Sequence, residues 1–144
     1  MKLIALLLLI AIPLQWETDF EAAKKTAKDK HLLILLNFSG SDWCTPCIAT
    51  KKEYFENEDF LKMANGNLVM LNADFPRRKK NQLSPDQAKK NDALAEMYNK
   101  GGHFPYTLLL DANGKVIKTW DGKPNVPVEK WTKEIKALCD ANRK

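Results

Sequence analysis

The chain has 144 residues, 44% of them hydrophobic. That is enough for one ordinary core and leaves little room for a second domain, since about 100 to 150 residues is the common domain size. The formal charge of +5 comes from 23 Lys and Arg against 18 Asp and Glu spread along the chain. Only the run Arg77, Arg78, Lys79, Lys80 is concentrated; it reads first as a solvated loop and only second as a patch for nucleic acid or an acidic partner, so no nucleic-acid partner is expected.

Met1 and Lys2 make a minimal charged start, and Leu3 to Ile12 is an unbroken apolar run ending at Pro13. The run is short of the ~20 apolar residues that span a bilayer but fits the ~7 to 15 of a signal-peptide core. The expectation is a signal peptide over residues 1–13, no stable membrane span once it is removed, and one domain over residues 14–144 in the periplasm or outside the cell. The competing reading is a buried first strand. No cysteine follows the run closely, which argues against a lipid-anchored start.

A short strand is possible around Leu14 to Trp16. "TDFE" at Thr18 to Glu21 is a capping-box signature, and Phe20, Ala23 and Ala27 then recur at helical spacing, predicting a first helix. "HLLILLNF" is the continuous apolar run of a strand buried on both faces, ending at Ser39, Gly40, Ser41. From Cys44 the pattern turns helical through Ile48 and Phe55, breaks near Asn57, and resumes in "EDFLKMANGN" to finish at Gly66. "NLVMLNADF" gives the next strand. After the basic loop, Ser84 can cap, Pro85 suits the first helical position and Gln87 can complete the capping box of a helix to about Tyr98. "YTLLLDANGKVIKTW" carries the Asn113, Gly114 pair between two apolar runs, a hairpin signal. Val128, Trp131, Ile135 and Leu138 mark one face of a last helix. This alternation implies an α/β fold with a mixed central sheet flanked by helices.

The stretch "SGSDWCTPC", residues 39–47, places two of the three cysteines at i and i+3 where the buried strand ends and a helix begins. Redox chemistry, metal binding and a local staple all start from such a pair. A staple is the poorer account, because the stabilisation from a cross-link grows with the logarithm of loop length and this loop is tiny. For zinc, His103 and Cys139 would have to complete the set, and Cys139, at the end of the last helix, lacks paired spacing. It reads as a small core residue beside Ile135, His103 as a loop residue, and no metal is expected. At a strand–helix junction the Cys44 sulfur meets unpaired backbone amides and the positive end of the helix dipole, which favours thiolate and lowers a cysteine pKa from ~8.5 toward ~3.5 to 7.5. Cys47, one turn on, lies within reach, so Cys44 can attack a disulfide and Cys47 can resolve the mixed disulfide. Thr45 and Pro46 between them help set the potential, Pro46 stiffening the first turn. Trp43 offers a flat apolar flank to the thiol or simple core packing, and Asp42 reads as a solvated turn residue.

Taken together, "WCTPC" after a buried strand, "LNADF", "FPYTLLLDANGKV" and the final amphipathic helix resemble the thioredoxin superfamily, close to its exported thioredoxin-like branch, over about residues 14–141. The resemblance implies a thioredoxin fold and a thiol-disulfide oxidoreductase with catalytic Cys44 and Cys47. It implies no cofactor beyond the Cys44–Cys47 redox-active disulfide, protein thiol or disulfide substrates, an electron-donor protein, and a monomer. It also implies a cis peptide at Pro105, with Phe104, Pro105, Tyr106 and Trp43 bordering the substrate. Reduction is the expected direction; the alternatives are an oxidase or isomerase of exported proteins, or a binding module with a locked disulfide. Some positions depart from the family pattern. Asn37 stands where a buried aspartate moves protons, which an asparagine cannot do. The accompanying lysine position on the next strand falls at Met70. Tyr106 follows the proline where threonine is usual, Gly101, Gly102 and His103 replace a shorter approach, and the loop Phe75 to Leu83 is long and basic.

Overall fold

The computed structural model describes residues 14–143, so the expected signal peptide at 1–13 lies outside the described residues. Five strands form one mixed sheet in the order β1-β3-β2-β4-β5. They are β1 (Trp16–Glu17), β2 (Leu33–Ser39), β3 (Leu68–Asp74), β4 (Tyr106–Leu110) and β5 (Val116–Asp121). β3 runs parallel to β1 and to β2, whereas β4 is antiparallel to both β2 and β5. The helices are α1 (Phe20–Lys30), α2 (Thr45–Thr50), α3 (Glu58–Asn67), α4 (Pro85–Tyr98) and α5 (Val128–Asn142). The expected α/β architecture, with helices on both faces of the sheet, is what forms.

The central strands are apolar on both faces because both are covered. Leu33, Leu35, Met70 and Leu109 pack under Phe60 and Ala64 of α3 and Trp131, Ile135 and Cys139 of α5. On the opposite face Ile34, Leu36, Phe38, Val69, Leu71 and Leu108 meet Ala23 and Ala27 of α1 and Leu94 of α4. Phe60 stacks on Trp131 at 5.7 Å between ring centroids, with Phe55 edge-on to Phe60 at 5.5 Å. The last helix uses Trp131, Ile135 and Cys139 as its fully buried stripe; Leu138 is only partly covered.

Several local expectations are corrected. The first helix is capped by Asp19, one residue past the expected Thr18: its carboxylate accepts from the Ala22 amide at 2.8 Å and from Lys90 Nζ at 2.6 Å, so a charged cap with a partner displaces the hydroxyl. Ser84 caps α4 as expected, but the Gln87 side chain donates to Thr18 O and Asn91 Oδ1 instead of closing a capping box. α3 ends at Asn67, not Gly66. Asn67 Nδ2 donates back to Met63 O at 2.7 Å, and the chain enters β3 directly with Leu68 extended, so no left-handed glycine is needed. The hairpin forms, but through the wider loop Asp111–Lys115. Asp111 Oδ1 accepts from the amides of Asn113 and Lys115, and Gly114 takes the positive φ of 89°. Finally, α2 passes without a break into a π-helical turn over Lys51–Phe55, which periodicity alone did not reveal. Tyr54 and Phe55 are both buried there, and the Tyr54 hydroxyl donates to the carbonyl of Val126 at 2.6 Å, in the segment leading to α5.

Candidate active site at the strand–helix junction

β2 and β3 end side by side at Ser39 and Asp74, and β4 starts opposite Phe38 at Tyr106. Three connections therefore emerge at one end of the sheet: the turn 40–43 into α2, the loop after β3, and the segment before β4. Cys44 is the N-cap of α2 and is bonded to Cys47, with Cα atoms 5.2 Å apart. The Cys47 amide donates to Cys44 Sγ at 3.3 Å, so the first sulfur occupies the place where a helix start offers unpaired N–H groups. Thr45 and Pro46 are exposed at the first turn, and the Pro46 carbonyl accepts from the Thr50 hydroxyl at 2.7 Å. In this oxidised state both cysteines are nearly covered, at 4% and 3% exposure, while Ile48 beside them is 49% exposed.

Trp43 is fixed from several directions. Its Nε1 donates to Phe75 O at 2.7 Å, its ring lies edge-on to Phe104 at 5.4 Å, and a Cβ at Gly40 would collide with the indole. These contacts carry the packing reading of Trp43. The Phe104–Pro105 peptide is cis. Pro105 is buried and its carbonyl accepts from the Gly122 amide at 2.9 Å, while Phe104 and Tyr106 are half-buried. Among the described residues no hydrogen bond engages the Phe104 backbone.

Asp42 is a structural tie that the sequence did not disclose. Its carboxylate accepts from the amides of Arg77 and Arg78, both at 2.9 Å, and from Asn81 Nδ2 at 3.0 Å. The Arg77 amide bond first, then the Asn81 side chain, hold its carboxyl below the usual aspartate range. Asp74 makes the reciprocal tie by accepting from the amide and hydroxyl of Ser41. Two of the three bonds to Asp42 go to backbone amides, which every residue type but proline offers, so no residue pattern signalled them. Beneath the motif, Asn37 Nδ2 donates to Asn72 Oδ1 and the Thr107 hydroxyl donates to Asn37 Oδ1, both at 3.1 Å. Asn37 is in register with Asn72, whereas Met70 lies opposite Leu35 in the core, so Asn72 and not Met70 is the neighbour of Asn37.

His103 and Cys139 do not join the cysteine pair. His103 Nδ1 lies 2.9 Å from Asp121 Oδ2 on the exposed surface and its ring packs on Tyr106 at 5.5 Å. Cys139 is fully buried with its sulfur 4.0 Å from Asn67 O, just before β3 begins. That is the end of β3 away from the motif, and a seven-residue strand spans about 20 Å. Burial pushes its thiol up to about 11.

A family profile described as Thioredoxin-like matches residues 15–112. The chain is 36% identical over 114 residues to a disulfide bond reductase, DsbH, of Chlamydia pneumoniae, covering 79% of this chain and 66% of that one. It is 29% identical over 102 residues to the thioredoxin-related protein DsbJ of the same organism, covering 71% of this chain and 28% of DsbJ. The chain thus spans less than two thirds of the length of either relative. Among solved structures, a DsbH oxidoreductase superposes with a TM-score of 0.80 at 31% identity, covering 90% of this chain and 87% of that one. A thioredoxin from Thermus thermophilus, at TM-score 0.66 and 14% identity over 89% and 88% of the two chains, shares the fold. The buried strand leading to a bonded cysteine pair at a helix start, the cis-proline segment beside it and the match over most of the chain agree: this protein belongs to the thioredoxin-like family.

Proposed function

We propose that the chain is a thiol-disulfide oxidoreductase acting on protein disulfides outside the cytoplasm, working chiefly as a reductase. The observation that carries the reading is the Cys44–Cys47 disulfide at the α2 N-cap, with the Cys47 amide directed at Cys44 Sγ. In the reduced protein that amide and the helix start favour a Cys44 thiolate. The thiolate attacks one sulfur of a substrate disulfide; that S–S bond breaks, a mixed disulfide forms, and the departing sulfur takes a proton from water. Cys47, as thiolate, then attacks Cys44 Sγ and displaces the second substrate sulfur. The substrate gains two electrons and two protons, and the protein ends as the Cys44–Cys47 disulfide. A dithiol donor protein must reverse that last step, and the cysteine pair is the redox group, without a further cofactor.

Trp43, Phe104, Pro105 and Tyr106 border the substrate in this reading, with the unengaged Phe104 backbone available to pair with an extended chain. Export is supported by the apolar run Leu3 to Ile12 behind Lys2. Among the described residues no helix is long and apolar enough to cross a membrane. The name of the DsbH relative supports reduction as the direction. The amide and hydroxyl network Asn37–Asn72–Thr107 favours a second reading, a pair that stays oxidised, since none of the three groups exchanges a proton near neutral pH.

Equilibrating the purified protein in glutathione or dithiothreitol buffers separates the readings. A reductase is expected at about −270 mV; a value of about −120 mV assigns an oxidant, and resistance below about −300 mV a locked bond. Cys44→Ser is expected to abolish exchange, and Cys47→Ser to accumulate the mixed disulfide with substrate. Parental rates in Cys44→Ser would remove Cys44 from its assigned role.

A further inference from the structure

The basic run is a structured part of the site's rim. Asp42, two residues before Cys44, binds the backbone of Arg77 and Arg78 and the side chain of Asn81. The Arg77 guanidinium carbon lies 3.6 Å from the centre of the Trp43 ring, and Phe75 at the root of the loop holds the indole N–H. The loop is therefore fixed to the turn that carries the cysteines. All four cations are exposed, and among the described residues none of them lies within ion-pair distance of a carboxylate. The Asp42 oxygens are occupied by N–H groups, so its charge holds the loop without a direct pair to any of the four side chains.

A solvated loop kept for solubility has no need of three hydrogen bonds and a stacked guanidinium. A charge cluster held in place binds with less ordering cost than a mobile one. It lies beside half-buried Trp43, Phe75 and Phe104, whose rings meet at 5.4 Å (Trp43–Phe104) and 5.5 Å (Phe75–Phe104), giving an apolar patch with a charged rim, the anatomy of a protein interface. The indole is covered by Arg77 on its face and met by Phe104 at its edge, so it is no open platform on which nucleic-acid bases could stack.

We propose that Arg77, Arg78, Lys79 and Lys80 form a docking arm that selects disulfide-bearing protein segments with Asp or Glu beside the cysteine. The inference rests on the exchange reading and adds its substrate class. Arg77 positions Trp43, and the outer three cations supply the field that draws the acidic segment in.

Two peptides with the same internal disulfide, one flanked by glutamates and one by glutamines, test this with the pre-reduced full chain. The second-order reduction rate is expected to favour the acidic peptide by about tenfold at low salt, since steering raises association rates ~10- to 10³-fold. The ratio should shrink toward unity at ~1 M salt, where the screening length is ~3 Å. R78Q/K79Q/K80Q should bring the ratio to near unity at low salt, and R78K/K79R/K80R should restore it. K28Q/K30Q/K115Q removes the same charge at the end of the sheet away from the motif, from Lys28 and Lys115 where α1 meets the hairpin loop and from Lys30 at the end of α1 near the start of β3, and should keep the preference. Equal wild-type rates overturn the proposal, as does a preference that survives R78Q/K79Q/K80Q or is lost equally in the remote variant. Tighter salt-sensitive binding to duplex DNA or to anionic phospholipid vesicles than to the acidic peptide overturns the protein-segment assignment. Failure to reduce either peptide overturns the exchange reading itself, and so is distinct from equal rates.

Discussion

Asp42 and Asn37 show how neighbouring positions can differ in what a sequence discloses. Cys44 and Cys47 announce themselves by spacing and by the strand before them, but Asp42 binds partners 35 to 39 residues away that no local pattern links to it. Its function as the anchor of the basic loop leads to a pH prediction. The folded carboxyl is held below its ordinary value of 3.8, chiefly by the Arg77 amide. A depressed acid stabilises the fold above its unfolded pKa and loses that contribution as pH falls through the folded one. Amide hydrogen exchange of Arg77 and Arg78 should therefore show protection that is steady down to about pH 4 and vanishes only below it. Asp42→Ala should remove the protection throughout the range. Unchanged exchange in that variant would mean that the loop is held by the Arg77–Trp43 stack alone. Asn37 was identified from resemblance, yet its neighbour Asn72 could be named only from strand register, which is a tertiary quantity.

At the scale of elements, caps and breaks were legible wherever the signal was local. Asn57 was expected as the break after the motif helix, and its Oδ1 accepts from the amides of Asp59 at 2.9 Å and Phe60 at 3.3 Å as the N-cap of α3. Asn57→Ala should destabilise the protein by about 1 kcal/mol. The thermal midpoint should fall by about 3 °C in a chain of this size, measured by calorimetry. Elements that answer to distant groups were not legible. Asp19 displaced Thr18 as a cap because Lys90 of α4 pairs with it, and the π-helical turn brings Tyr54 to the Val126 carbonyl. Both depend on residues far along the chain.

For the whole molecule, the sheet separates the end that carries the bonded cysteine pair from the end that encloses Cys139. Cys44 and Cys47 sit where β2 and β3 finish, and Cys139 is enclosed near the start of β3. Native oxidised protein should present no titratable thiol to a disulfide reagent, and one after denaturation. A reactive Cys139 in the native state would contradict its burial. Its thiol, raised from 9.0 to about 11 by burial, contributes stability that is present below pH 9 and declines as pH rises toward 11, because the unfolded chain ionises first. Urea midpoints measured between pH 8 and 11 should fall across that window, and Cys139→Ala should flatten the part due to this thiol.

The α/β alternation, the core strands, the cysteine motif and its place at a strand–helix junction were legible along the chain. Those follow from periodicity, capping chemistry and turn residues acting within a few positions. It took the folded arrangement to show that Asp42 clamps the basic loop, that Arg77 covers Trp43, that Asn72 and Thr107 satisfy Asn37, and that Cys139 is remote from the bonded pair. Each of these is a contact between segments widely separated along the chain. Hydrogen bonds and stacking act over a few ångströms of space, so residue spacing carries no record of them until the sheet brings the connections of β2, β3 and β4 to one end.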